Sequence, residues 1–207
     1  MSDFPKGFAH YPLYFSASEQ EELVAAVKKG VTIAPFFQPT MPRTGTPLSV
    51  VMSNFGPLGW ITDKDRGYRY EYKHPKTGKP WPVLPDKLAK LWGDVTNYPA
   101  LPEATLINWY KADKASKMGL HIDNDENDLR APVVSVSLGD PAMFRLGGPR
   151  RGGKTQGIKL FSGDVVVLAD EARLCYHGVS KVYYGQSALI PRGGRINLTM
   201  RRVNAPS

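Results

Sequence analysis

A single cysteine, Cys175, among 207 residues excludes an intramolecular disulfide and any zinc site built from several cysteines, which agrees with a reducing compartment. Long apolar runs are also missing. No unbroken stretch of aliphatic, aromatic, Met or Cys residues exceeds five, so no membrane span is expected. The first ten residues lack the apolar core of a secretory signal, and the expected location is the cytoplasm. There is no internal repeat and no low-complexity tract. Charged residues make up only 22% and Gly plus Pro are 20 and 18, values that fit neither a coiled coil nor a disordered chain.

What is present is an apolar share of 42%, enough for one cored domain over residues 1–207 and too little for two, with a monomer as the default expectation. The net charge of +8 is unevenly spread. Residues 145–207 hold 11 Lys/Arg against 3 Asp/Glu, while the rest of the chain balances 16 against 16. A basic surplus on one stretch favours a polyanionic partner, although a solvated basic face explains it equally well.

Ser18 followed by Glu21 reads as a capping box, and Leu23, Val24 and Val27 then recur at helical spacing until Gly30 closes the helix. A second helix is expected from Pro85 and Asp86, with Leu88, Leu91, Trp92 and Val95 on one stripe. Beyond residue 100 the period changes to two. Leu106–Tyr110, Pro132–Leu138, Ala142–Leu146, Ile158–Phe161, Asp164–Ala169 and Arg195–Arg201 are short, β-branched or aromatic, and separated by Gly, Pro or Asp. The expected fold is therefore mostly β with flanking helices, a sandwich or jelly roll. Residues 40–82 interleave Phe55, Trp60, Tyr68, Tyr70, Tyr72 and Trp81 with Lys64, Arg66, Arg69, Lys73 and Lys76. That mixture suits a surface stacking on bases; the alternative is an irregular hairpin whose aromatics pack on the sheet.

His121-Ile122-Asp123 stands where an alternating strand would end, and a period of two puts imidazole and carboxylate on one face. Such a pair is common by chance. His177, in Leu174-Cys175-Tyr176-His177-Gly178, follows the strongest strand and brings a second imidazole within reach from a neighbouring strand. Two His and one carboxylate form the facial triad of non-haem Fe(II) oxygenases, which leaves coordination positions open. In Arg195–Arg201 the alternate residues Arg195, Asn197, Thr199 and Arg201 point inward between outward Ile196, Leu198 and Met200. Burying two guanidiniums requires anions, which a dicarboxylate entering the roll would supply. Asn108 and Tyr110 repeat the pattern and either complete an anion pocket or sit as satisfied polar groups at the core margin.

These residues resemble the bacterial AlkB family of Fe(II)/2-oxoglutarate-dependent dioxygenases. The likeness runs in order through Ser49–Met52, Gly59-Trp60, Leu106–Tyr110, His121–Glu126 with Leu129–Pro132, Val134–Gly139, Gly163–Val167, His177-Gly178 and the Arg195–Arg201 row; residues 1–45 match no motif. The resemblance implies a double-stranded β-helix, or jelly roll, whose core at 104–202 holds iron through His121, Asp123 and His177, with a nucleotide-recognition lid at 48–76. It implies 2-oxoglutarate and O2 as cosubstrates, with Arg201 near the keto acid end, Arg195, Asn108 and Tyr110 around the far carboxylate, and Asn197 and Thr199 flanking them. The family oxidises methyl groups on damaged base nitrogens, so that 1-methyladenine and 3-methylcytosine are restored with release of formaldehyde. A methyl on a pairing edge is reached only when the base leaves the stack. By the same resemblance Trp60 and His121 sandwich that base, Met52 lines its pocket, Tyr68 binds phosphate, Asp125 accepts from the exocyclic amine, and Arg151 rather than Arg150 reaches the base. The implied partner is alkylated DNA, single-stranded by preference, with RNA or protein as same-chemistry alternatives. Asp63 and Asp65 are expected to weaken the lid's hold on undamaged DNA. A non-catalytic nucleic-acid-binding roll with structural histidines is the rival from another class; a zinc hydrolase fits poorly with two arginines facing the site.

Overall fold

The computed structural model describes residues 4–112 and 116–206. In chain order the elements are β1 (Phe8–Tyr11), α1 (Ala17–Ile33), β2 (Val51–Phe55), β3 (Gly59–Asp63), β4 (Gly67–Glu71), α2 (Asp86–Val95), β5 (Ala104–Tyr110), β6 (Met118–His121), β7 (Val133–Gly139), β8 (Ala142–Leu146), β9 (Gln156–Leu160), β10 (Val165–Leu168), a 3-10 turn at Asp170–Leu174, β11 (His177–Val182) and β12 (Arg195–Arg201). The strands form a six-stranded sheet in the order β1-β10-β7-β12-β5-β2, a four-stranded sheet β6-β11-β8-β9 and a hairpin β3-β4. This is the expected jelly roll.

Alternation along the central strands of the large sheet assigns each side chain to one of two environments. Ile107, Val134, Val136, Leu138, Val165, Val167, Ile196, Leu198 and Met200 face the helices, where they pack with Leu23, Val24 and Val27 of α1 and Leu88, Leu91 and Trp92 of α2. Ile196, Leu198 and Met200 therefore do not point outward; the helices cover that face, and all seven residues of β12 are buried. Each fully buried aliphatic side chain contributes roughly 1.5–3 kcal/mol, so this layer fixes the sheet on which the site is built. The opposite faces of the same strands carry Asn108, Tyr110, Ser135, Ser137, Arg195, Asn197, Thr199 and Arg201 toward the interior of the roll.

Several boundaries depart from expectation. The capping box of α1 uses Ser16 and Glu19 rather than Ser18 and Glu21: the Glu19 backbone N–H donates to Ser16 Oγ, and Glu19 Oε2 accepts from the Ser16 backbone at 2.9 Å. Gly30 does not close the helix, which continues to Ile33; a Cβ at Gly30 would lie 2.6 Å from the Phe55 ring, so the glycine serves close packing. Residues 1–45, motif-free in sequence, supply the edge strand β1 and the covering helix α1.

The 40–82 segment folds largely as the hairpin alternative. Phe55, Trp60 and Trp81 are buried, and only Tyr68 and Tyr72 among its six aromatics are exposed. Its cations are partly neutralised within the hairpin, where Arg69 pairs with Asp63 at 2.6 Å and Glu71 at 2.9 Å, and Arg66 also pairs with Glu71. Asp63 is a turn residue as well, its Oδ1 accepting from the backbone of Asp65 and Arg66. No helix among the described residues is long and apolar enough to cross a membrane.

Candidate metal and cosubstrate site

Between the two sheets lies a cavity of about 410 Å³, within the range of small-ligand sites. His121 ends β6 and His177 begins β11, and the two residues face each other directly across that antiparallel pair. Their rings stand 4.6 Å apart. A close backbone approach makes this possible: a Cβ at Gly178 would fall 2.6 Å from the Met118 carbonyl oxygen, so the residue after His177 must be glycine.

Each imidazole bonds a backbone carbonyl through Nδ1, His121 to Gly119 at 2.8 Å and His177 to Cys175 at 3.0 Å. Those carbonyls only accept, so Nδ1 carries the proton and both Nε2 lone pairs turn to the same point. Asp123, just past the end of β6 and almost fully buried, lies at that point, with Oδ1 3.4 Å from His121 Nε2 and Oδ2 3.5 Å from His177 Nε2. Its Oδ2 has no hydrogen-bond partner. Two imidazole lone pairs and an unsatisfied buried carboxylate oxygen, all within 4.8 Å of one another, fit a divalent metal with positions left open.

Arg201 holds the other oxygen of Asp123 at 2.5 Å. Burial alone would raise the Asp123 carboxyl, but the Arg201 charge and then His177 outweigh it and hold the group well below the usual carboxylate range. Reciprocally, burial depresses Arg201 while Asp123, Tyr70 and Glu126 raise it well above the usual guanidinium value. His121 is lowered by desolvation and raised more strongly by Asp123, for a net increase.

Behind this pair stands a buried network whose function the sequence did not reveal. The Glu126 carboxylate accepts from Arg201 at 3.1 Å, from Arg173 at 3.0 Å and from the Tyr70 hydroxyl of β4. Arg173 also donates to the backbone carbonyls of Ala131, at 2.7 Å, and Asp123. It thereby clamps the Asp123 segment from the 3-10 turn. Glu126 lies within the His121–Glu126 segment and Tyr70 among the lid aromatics, but nothing in a linear sequence pairs either with an arginine many residues away.

Farther in, Arg195 is 1% exposed and donates only to Ser137 Oγ, at 3.0 Å; its Nε and Nη1 are partnerless. Desolvation lowers its guanidinium from the usual value. Asn197 donates to Ser135 Oγ at 2.6 Å and accepts from Thr199 at 2.7 Å, and Asn108 Oδ1 is buried without a partner. Tyr110 is fully buried and its phenol is pushed up to about 12, so it stays protonated. The two unsatisfied Arg195 N–H groups are donors in a buried slot and fit an anion; the Asn108 oxygen, an acceptor, does not add to that count. Ser135 and Ser137 were not singled out in sequence, though the alternation Val134-Ser135-Val136-Ser137-Leu138 marks them as the polar face of β7.

Across the residues 7–201 the chain matches the model of the 2OG-Fe(II) oxygenase superfamily. The chain belongs to that superfamily. Within it, the chain is 47% identical over 198 residues to the alpha-ketoglutarate-dependent dioxygenase AlkB homolog of Caulobacter vibrioides, covering 95% of this chain and 87% of the relative. It is 41% identical over 192 residues to the AlkB dioxygenase of Escherichia coli K12, covering 91% and 87%. The solved structure of OsALKBH1 superposes with a TM-score of 0.80 at 29% identity, covering 96% of this chain and 99% of that one. The protein is thus an AlkB-family Fe(II)/2-oxoglutarate-dependent dioxygenase, and iron, 2-oxoglutarate and O2 are the group and the cosubstrates this dioxygenase employs.

The remaining sequence candidates line the same cavity. Met52 is buried on β2, and Trp60 on β3 donates Nε1–H to Asp125 Oδ2 at 2.8 Å. Tyr68, nearly half exposed, stacks on Trp60 with centroids 5.6 Å apart. Burial and then the Asp125 charge raise its phenol, keeping the hydroxyl a donor. Arg151, in the turn between β8 and β9, lines the cavity; Arg150 does not.

Proposed function

We propose that this dioxygenase removes methyl groups from 1-methyladenine and 3-methylcytosine in DNA, single strands being favoured, with residues 48–76 as the nucleotide-recognition lid and residues 104–202 as the catalytic core. The observation that carries the reading is the adjacency of three converging metal donors to a buried guanidinium with two unanswered N–H groups, next to an aromatic-walled outer cavity.

In this reading His121, Asp123 and His177 hold the iron. When bound, iron and 2-oxoglutarate supply the oxidising equivalent from O2, with succinate and carbon dioxide as coproducts, and the hydroxylated methyl leaves as formaldehyde. Arg195, backed by Ser137 and joined by Asn108 and Tyr110, would hold the far carboxylate through its two unpartnered N–H groups. Arg201, whose Nε has no partner, would stand near the keto acid end of the cosubstrate while holding Asp123 through Oδ1, which leaves Oδ2 free for a metal; Asn197 and Thr199 would complete the wall. Trp60 stacks the extruded base against His121 while its indole N–H fixes Asp125, leaving the second carboxylate oxygen for an exocyclic amine. Met52 closes the pocket floor, Tyr68 donates to a phosphate, and Arg151 meets the base from the β8–β9 side. The apolar walls exclude water around the reacting methyl.

The test is incubation of the iron-loaded protein with 2-oxoglutarate and a 3-methylcytosine oligonucleotide, with methylated RNA and methylated peptide as parallel substrates. Equal release of formaldehyde and succinate, fastest on single-stranded DNA, is expected. Turnover confined to the peptide would overturn the substrate assignment. Asp125→Ala should spare iron binding and alter the preference between the two bases.

A further inference from the structure

We propose that the outer face of the small sheet is a second nucleic-acid contact, holding the phosphate backbone of the same DNA strand whose target base enters the cavity; this rests on the reading given under Proposed function. The alternation that sends Ala142, Phe144 and Leu146 of β8 inward sends Met143 and Arg145 outward. Register then aligns Lys181 of β11, Met143 and Lys159 of β9 in one row across the sheet, with Arg145 two residues along, about 7 Å away.

Among the described residues none of these cations has an ion-pair partner. Lys159 lies instead over the rings of Tyr183, at 4.5 Å, and Phe161, at 5.2 Å, and Lys181 over Tyr183 at 4.9 Å; Arg145 bonds Thr155. The chain explains why no acid answers them: residues 141–163 and 172–207 contain no Asp or Glu. Asp140 and Asp164, which border the first of these segments, are buried and bonded to other groups, Asp140 to four backbone N–H groups; Asp170 and Glu171, which border the second, are exposed on the 3-10 turn and pair with none of these cations. Much of the basic surplus of the last third is spent elsewhere, since Arg173, Arg195 and Arg201 are buried. Of the eight that remain, Arg145, Arg150, Arg151, Lys154, Lys159 and Lys181 lie on this sheet and its β8–β9 turn, whereas Arg192 lies in the β11–β12 connection and Arg202 pairs with Glu103.

That turn makes the patch continuous with the site. The β8–β9 connection carries Arg151 at the cavity and departs from the end of β8 next to Arg145. A strand leaving the cavity past Arg151 therefore meets Arg145 and then the Lys159–Lys181 row, where the exposed Phe161 offers a stacking face beside the half-buried Tyr183.

The experiment compares the unmodified enzyme with Lys159→Glu/Lys181→Glu on a methylated trinucleotide, too short to leave the cavity mouth, and on a 20-nucleotide single strand. The variant is expected to turn over the trinucleotide normally, which also shows that it is folded and iron-loaded. Its Kd for the 20-mer by fluorescence anisotropy should rise about tenfold, and the log Kd–log salt slope should flatten by about 1.4 for two lost single-strand phosphates. An unchanged Kd for the 20-mer overturns the proposal. So does an equal loss in Lys28→Glu/Lys29→Glu on α1, which would make the effect one of net charge alone. If the unmodified enzyme turns over neither oligonucleotide, it is the demethylase reading that fails.

Discussion

Replacing Glu126 by Gln tests the buried network behind the metal site. The side chain is fully buried and balances two guanidiniums that are themselves almost fully buried, Arg173 and Arg201. Glutamine keeps the volume but removes the charge, leaving Arg201 with the Asp123 carboxylate and Arg173 with backbone carbonyls alone. Breaking a buried ion pair by neutralising one partner costs about 3–5 kcal/mol, because the remaining charge stays desolvated and uncompensated. For a chain of this length that lowers Tm by at least about 6 °C. The double variant Glu126→Gln/Arg173→Met removes one charge of each sign and should recover much of the loss, since apolar replacement of a buried pair is often close to neutral. Differential scanning calorimetry of the metal-free protein gives both values. A Glu126→Gln Tm within 1 °C of the unmodified protein would refute the reasoning, as would a double variant no more stable than the single one.

Arg195→Met should abolish 2-oxoglutarate binding, measured by anaerobic titration, while raising the Tm of the ligand-free protein, because it removes a buried guanidinium with two unsatisfied N–H groups. Gly178→Ala should push β6 away from β11 and weaken iron affinity by at least about fivefold in competition with a chelator, the overpacking costing about 1–3 kcal/mol. Ser16→Ala removes the side-chain cap of α1 and should cost about 1 kcal/mol in urea unfolding. The Ser16 bonds hold Glu19 down at about 2, so its stabilising contribution is fully present above about 4.5 and disappears as pH falls toward 2; the difference between Ser16→Ala and the parent should shrink over that window.

The features that declared themselves in sequence are those set by local period and by residue chemistry. β12 is legible to the residue, because strict alternation of apolar and polar side chains leaves one register; β8 is bounded instead by Pro141 before it and Gly147-Gly148 after it. β3 and β4 were not, since Gly59, Gly67 and the Asp63 turn dilute their alternation, and β11 was hidden behind the Cys175–Gly178 segment. The capping box slipped by two residues because Ser16 and Ser18 are both competent caps and only the packing of α1 chooses between them. His121, Asp123 and His177 were legible as ligand types, but their meeting depends on a cross-strand register separated by 56 residues. The Glu126–Arg173–Tyr70 network was illegible for the same reason: its members come from a loop, a 3-10 turn and the lid, and only tertiary structure makes them neighbours.

The most direct measurement is an anaerobic titration of Fe(II) with 2-oxoglutarate into the protein and its Asp123→Ala variant, followed by the visible charge-transfer band of the chelated pair. One iron and one 2-oxoglutarate per chain, with the band lost in the variant, is the predicted result. A variant that binds iron and develops the band like its parent would contradict the assignment of His121, Asp123 and His177 as the metal site.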